Sequence, residues 1–171
     1  MAQEEAEAMR DVRTEILDIL ERNARATPQE ISEMTGVPEE EVKGTIAAAE
    51  RDRIIVKYKT LINWERAGTE EVLALVEIRV TPQRDVGFDS VAQRIARFPE
   101  VRSLHLVSGD FDLSVLLAGK SMKEVANFVA QKLAALEEVR GTSTHFLLKR
   151  YKQDGEIFDG EDGAKRLPLT P

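Results

Sequence analysis

Few side chains in this sequence can do chemistry on their own. His105 and His145 are its two imidazoles, cysteine is absent, and neither histidine stands at metal-ligand spacing from a carboxylate or from the other. Disulfides, thiolate nucleophiles and thiolate metal sites are therefore excluded. Asp110 and Asp112 could serve as acid and base, but two carboxylates on one turn without a partner more often cap a loop. No glycine pattern makes a phosphate loop, and no Ser-His-Asp set is indicated. Binding rather than catalysis is the expected chemistry, with no cofactor and no metal.

The scaffold behind these residues is that of a folded protein. Apolar residues make up 42% of the 171 positions, which suits packed cores. No apolar run approaches the roughly 20 residues that span a bilayer, and no basic-plus-apolar leader is visible, so a soluble cytoplasmic protein is expected. The net charge is −7, from 24 basic and 31 acidic residues. Residues 1–66 hold 10 of the basic residues against 15 acidic, residues 67–150 hold 11 of each, and the remainder 3 against 5. The acidity thus lies in the first third.

Three helices are expected there. Over residues 9–20 the positions Met9, Val12, Ile16, Leu17, Ile19 and Leu20 follow helical spacing. Thr27-Pro28-Gln29-Glu30 then supplies a side-chain cap, a proline at the first helical position and a capping-box glutamate. Ile31 and Met34 carry this second helix to Thr35-Gly36-Val37, where the glycine permits a left-handed stop. Pro38-Glu39-Glu40-Glu41 opens a third helix with its acidic residues at the positive end of the helix dipole, and Val42, Ile46 and Ala49 share one face. Three helices with so short a turn suggest a helix-turn-helix. Residues 54–64, rich in β-branched and aromatic types, predict a short β-ribbon or wing, and polar Glu65-Arg66-Ala67-Gly68-Thr69 places a domain boundary near Ala67.

The second half predicts strand, helix, strand, strand, helix, strand. Residues 72–80 form a strand, 82–86 a loop, and Phe88, Val91, Ile95 and Phe98 space a helix closed by Pro99. Residues 101–107 and 111–117 are strands joined through Ser108-Gly109-Asp110, a hairpin signal. Met122, Val125, Phe128, Val129 and Leu133 mark a second helix starting at Lys120-Ser121, and 142–150 the last strand. This is the βαββαβ order of a ferredoxin-like sandwich. The expected division is 1–66 for the helix-turn-helix domain with its β-ribbon, 67–155 for the sandwich, and 156–171 for a C-terminal tail. Because Leu73, Leu75, Leu116 and Ala118 point away from the helices, the uncovered sheet face is expected to be apolar enough to require a second copy, giving a homodimer or larger.

In order along the chain, Ile16-Leu17, Asn23-Ala24-Arg25, Glu30-Ile31, Thr35-Gly36-Val37, then Val42, Ile46 and Glu50 match a pattern that continues in the second half. There it comprises Phe98-Pro99-Glu100-Val101, Ser108-Gly109-Asp110-Phe111-Asp112 and Leu147-Leu148-Lys149-Arg150-Tyr151. The chain so resembles the leucine-responsive regulator and AsnC (feast/famine) family from about Asp11 to Gly155. The resemblance implies an α+β protein with an N-terminal winged helix-turn-helix and a ferredoxin-like sandwich. It implies transcription regulation, double-stranded DNA as partner, dimers that assemble into tetramers, octamers or discs, and an amino acid or related small effector held between sensing domains. The matching effector positions are Gly109 and Asp112, with Asp110 beside them. Exposed backbone N–H groups of such a turn can hold a carboxylate while an aspartate pairs with an ammonium group.

The chain departs from the family where DNA should be read. In place of several arginines on the recognition helix it has Lys43, Gly44, Thr45 and Ala48 after an acidic run, and Arg53 replaces the glycine before the wing. DNA contact is expected to rest on Lys43, Thr45, Arg51, Arg53, Lys57 and Lys59, through phosphates and, at Lys43 or Thr45, base edges. Two alternatives stand beside this. One is an amino-acid-sensing oligomeric module whose degenerate helix-turn-helix binds no DNA. The other is an enzyme similar to siroheme decarboxylases, with His105, His145 and Arg102 around a tetrapyrrole.

Overall fold

The computed structural model describes residues 2–69, 71–82 and 87–158, with side chains from Val12 onward. Part of the expected 82–86 loop, the side chain of Met9 and residues 159–171 of the expected tail lie outside these. Contacts separate two units, Met1–Ile62 and Asn63–Pro171.

The first unit is three helices, α1 (Ala2–Arg22), α2 (Pro28–Thr35) and α3 (Glu39–Arg51). Ile16, Leu20, Ile31 and Val42 form its core, flanked by Val12, Ile19, Ala26, Val37, Ile46 and Ile55. The helical spacing of the first segment therefore does bury one face. The start of α2 is fixed by the expected capping box: Thr27 Oγ1 accepts from the Glu30 N–H at 3.2 Å, and Glu30 Oε2 accepts from the Thr27 N–H at 2.7 Å. Glu30 is exposed, and the Thr27 N–H, then the Thr27 hydroxyl donating to Oε2 at 3.0 Å, hold its carboxyl below the usual value. Gly36 ends the helix at φ 73°.

The β-ribbon expected over 54–64 is not formed among the described residues. Arg53 takes a left-handed φ of 55°, and the N–H groups of Ile54 and Ile55 turn back onto the Ala49 carbonyl at 2.8 and 3.1 Å. Residues 56–63 have no ladder partner. β-branched residues favour extended backbone, but a ladder requires a second strand, and the helical unit offers none. Residues 63–69 turn on themselves, with the Ala67 N–H reaching the Asn63 carbonyl and the Thr69 N–H that of Trp64. The contact boundary accordingly falls at Ile62/Asn63, ahead of the polar stretch around Ala67.

The second unit carries β1 (Val72–Val80), α4 (Asp89–Ala96), β2 (Val101–Leu106), β3 (Leu113–Gly119), α5 (Met122–Phe128) and β4 (Val139–Phe146). The sheet order is β2-β3-β1-β4, antiparallel throughout, which is the ferredoxin-like arrangement. Ala74, Val76, Ile78 and Val80 of β1 and Leu113, Val115 and Leu117 of β3 are buried with Val91 and Ile95 of α4 and Val125, Phe128, Val129 and Leu133 around α5. Each of the Val, Leu, Ile and Phe side chains contributes about 1.5–3 kcal/mol of transfer free energy, so this face fixes strand register. Ser121 caps α5 by accepting from the Glu124 N–H at 3.1 Å, and residues Val129–Leu133 continue it as one π-helical turn that keeps Val129 and Leu133 buried.

Three boundaries differ from the sequence pattern. β3 begins at Leu113 rather than at residue 111, because Phe111 and Asp112 belong to the hairpin connection, closed by the Val107 N–H on the Asp112 carbonyl at 2.9 Å. β4 runs over Val139–Phe146 rather than 142–150, because β1 offers partners from Val80 back to Ala74. Beyond it the Leu147 N–H still reaches the Leu73 carbonyl. Finally, Glu156–Ile157 is not tail but a strand, β6, paired with β5 (Lys152–Gln153) across Asp154 and Gly155, both at positive φ.

The uncovered sheet face is less apolar than expected. Leu73, Leu75, Leu116 and Ala118 occupy one end of it, but a polar row crosses all four strands at His105, Ser114, Glu77 and Ser143. His145 adds to that row, with Nε2 3.3 Å from Glu77 and 3.2 Å from Ser143 Oγ. The alternation rule finds which residues face outward, but outward positions two residues apart mix leucine with serine, glutamate and histidine.

Candidate functional site

On α3 the residues opposite the buried Val42 and Ala49 are Glu40, Gly44, Ala47 and Arg51, all exposed. This is the surface a recognition helix turns toward a groove. Its side chains are short or acidic. The one lysine beside it, Lys43, is clamped by Glu39 at 2.9 Å and Glu40 at 2.7 Å, and those two carboxylates raise its pKa further above the usual lysine value. Its charge is thus present but already matched.

The other residues expected to touch DNA are dispersed. Thr45 is half-buried and, with Val12, Arg13, Ala48 and Asp52, lines a groove of about 410 Å³ between α1 and α3. Arg51 is exposed but pairs through Nε with Asp52 at 3.0 Å. Arg53, Lys57 and Lys59 are exposed, with no ion pair among the described residues, and all three follow the helix rather than lie on it. Tyr58 folds back to donate to Glu50 Oε1 at 2.9 Å, and burial, then that bond, pushes its hydroxyl pKa up. Glu40 and Ala47 are the reading-face residues that charge-led reasoning passes over; helical phase alone finds them, at two turns from each other opposite Val42.

In the second unit the hairpin over residues 107–112 brings Gly109, Asp110 and Asp112 together. Gly109, at φ 140°, and Asp110 are exposed. Asp112 is half-buried: its Oδ2 accepts from the Val80 N–H at 2.8 Å and its own N–H donates to the Ile78 carbonyl at 3.0 Å. It stitches the hairpin to the end of β1, where the β1–β3 ladder stops at Ile78/Leu113 and leaves Val80 N–H to a side-chain acceptor. Arg79, which no motif pointed to, joins the same hairpin through Nε to the Asp110 carbonyl at 2.9 Å.

The three tetrapyrrole candidates do not converge. Arg102 pairs with Glu71 beside the β2 bulge, whereas His105 on β2 and His145 on β4 stand on strands separated by β3 and β1. Among the described residues no cluster of histidines and carboxylates could hold a metal ion. No helix there is long and apolar enough to cross a membrane.

Comparison with known proteins places both units. The profile of the Lrp/AsnC ligand binding domain matches residues 73–157, and that of winged helix-turn-helix DNA-binding domains matches residues 9–56. The uncharacterized HTH-type transcriptional regulator YugG of Bacillus subtilis (strain 168) is 48% identical over 159 residues, covering 92% of this chain and 96% of its own. Among solved structures, Escherichia coli AsnC superposes with a TM-score of 0.66 at 18% identity, covering 84% of this chain and 94% of that one. A feast or famine regulatory protein of Mycobacterium tuberculosis, solved with L-methionine, gives 0.70 at 23% identity, covering 85% and 96%.

Proposed function

Since this chain belongs to the Lrp/AsnC family of helix-turn-helix transcriptional regulators, we propose that it regulates transcription by binding duplex DNA through its first unit and an amino acid through its second. The match of a DNA-binding and a ligand-binding profile to the two halves, in that order, carries the proposal.

In this function DNA is approached by the outer face of α3, with Arg53, Lys57 and Lys59 supplying phosphate contacts after the helix, Arg51 and Lys43 contributing once released from their carboxylates, and Thr45 supporting the helix from its inner side. Effector binding is assigned to the hairpin, with Gly109 and Asp110 at the ligand and Asp112 bracing the turn. An amino acid is the effector class because the M. tuberculosis structural neighbour was solved with L-methionine and because a turn of this kind offers N–H groups and a carboxylate to the two ends of such a molecule. The open sheet face of Leu73, Leu75 and Leu116 is covered by a second copy, which makes a homodimer the smallest functional form. The protein acts in the cytoplasm, where DNA is, and is not an enzyme.

The test is a gel shift on the gene's own upstream region across a salt series. Salt-sensitive retardation supports DNA binding. No retardation at micromolar protein removes it, and the clamp on Lys43 then favours a second function: an amino-acid-sensing module that acts on protein partners alone.

A further inference from the structure

The geometry points to Arg79 as the side chain that holds the carboxylate of the ligand at the 107–112 hairpin, with Asp110 holding its ammonium group; this rests on the amino-acid binding proposed above. Arg79 is exposed, and exposed arginines ordinarily keep their rotamer freedom. This one is held twice. Its Nε donates to the Asp110 carbonyl at 2.9 Å, and its guanidinium lies 4.8 Å over the Phe111 ring. With Nε engaged, the end-on edge formed by Nη1 and Nη2 has no partner among the described residues. That edge is a pair of parallel N–H donors at the spacing of the two oxygens of a carboxylate, set in direction before any ligand arrives.

The surroundings leave room for one. Opposite Arg79 in the ladder stands Gly141, and a Cβ added there would meet nothing within 4 Å. The neighbouring Arg140 is turned aside to Thr81 Oγ1 at the β1–β4 bulge, so it does not fill the space. Asp110 supplies the opposite charge: its carboxylate is exposed and has no hydrogen bond or ion pair among the described residues, while its carbonyl positions Arg79. A cation and an anion thus flank one peptide unit, the mirror of the ammonium and carboxylate that flank one carbon in an α-amino acid. Asp112 cannot take the ammonium role on equal terms, since Oδ2 is bonded to the Val80 N–H in a half-buried position. It acts as a positioning residue for the pair.

The full chain is screened by thermal shift against the twenty standard L-amino acids, and the strongest binder and its α-carboxamide are then titrated by calorimetry against wild type, Arg79→Lys, Arg79→Gln and Asp110→Asn. Wild type is expected to bind the acid and to lose roughly tenfold or more in affinity for the carboxamide, and each Arg79 variant to lose a similar factor for the acid while keeping its carboxamide affinity. A merely structural arginine would weaken acid and carboxamide alike and lower the Tm of the unliganded protein. Wild-type affinity for the acid in both Arg79 variants overturns the assignment, as does a wild type that does not distinguish acid from carboxamide. A wild type that binds none of the twenty removes amino-acid sensing itself, and the Arg79 assignment with it, before any variant is compared.

Discussion

Replacing Glu39 and Glu40 by glutamine together should strengthen DNA binding and make it more sensitive to salt. Lys43 is held by those two carboxylates at 2.9 and 2.7 Å, so in the wild type it brings little net charge to a phosphate. Of the basic residues that follow α3 in the first unit, Arg53, Lys57 and Lys59 have no such partner among the described residues. With log K falling by about 0.9 per neutralised phosphate for each tenfold rise in salt, three contacts per reading head give a slope of about −2.7, or about −5.4 for a dimer. Releasing Lys43 adds one contact per head and steepens the dimer slope to about −7.2. From 50 to 200 mM salt the wild type would then lose roughly 2,000-fold in affinity and the variant roughly 20,000-fold. Fluorescence anisotropy on one labelled operator fragment measures both slopes, and a urea melt of each protein checks that α3, which loses two favourable charges from its first turn, is still folded. A variant slope equal to or shallower than that of the wild type would show that Lys43 does not reach the backbone, and the account of a masked cation would be wrong.

Other perturbations test the scaffold. Gly119→Ala would place a Cβ 2.8 Å from Val125 Cγ2, so the core at the start of α5 must shift; a loss of about 1–3 kcal/mol is expected by chemical denaturation, and wild-type stability would contradict the packing. Thr27→Ala breaks the capping box of α2 and should cost about 0.5–2 kcal/mol. The same cap makes stability pH-dependent in a defined sense: because Glu30 titrates below 4.5 when folded, its contribution is complete above that value and is lost as pH falls below it, and Glu30→Gln should flatten that limb of an acid melt. Leu116→Glu places a charge on the open sheet face beside Leu75, and sedimentation should show a monomer where the wild type is a dimer; an unchanged mass would mean that the face is not the interface.

Much of the architecture was legible from local rules. Thr27, Pro28, Glu30 and Gly36 mark both ends of α2 through groups no more than four residues apart, and that is why the capping box and the left-handed stop are found where the sequence places them. The burial of Ala74, Val76, Ile78 and Val80 follows from the two-residue period of a strand, and the βαββαβ order from the spacing of such segments. Asp154-Gly155 is an equally local turn, but strands of two residues on either side carry no alternation by which to find the hairpin.

What tertiary structure alone decided concerns partners distant in sequence. Residues 54–63 have strand-forming side chains yet no ladder, since propensity supplies conformation and not the second row of N–H and C=O groups. Asp112 was the expected effector position with Asp110 beside it, but the end of the β1–β3 ladder gives its Oδ2 to Val80 N–H, and Arg79, 31 residues from Asp110, entered the site only because β1 and β3 are neighbours in the sheet. Periodicity encodes which face a residue occupies; which charged group meets it there depends on strand order and register, and these are set by the packing of the whole core.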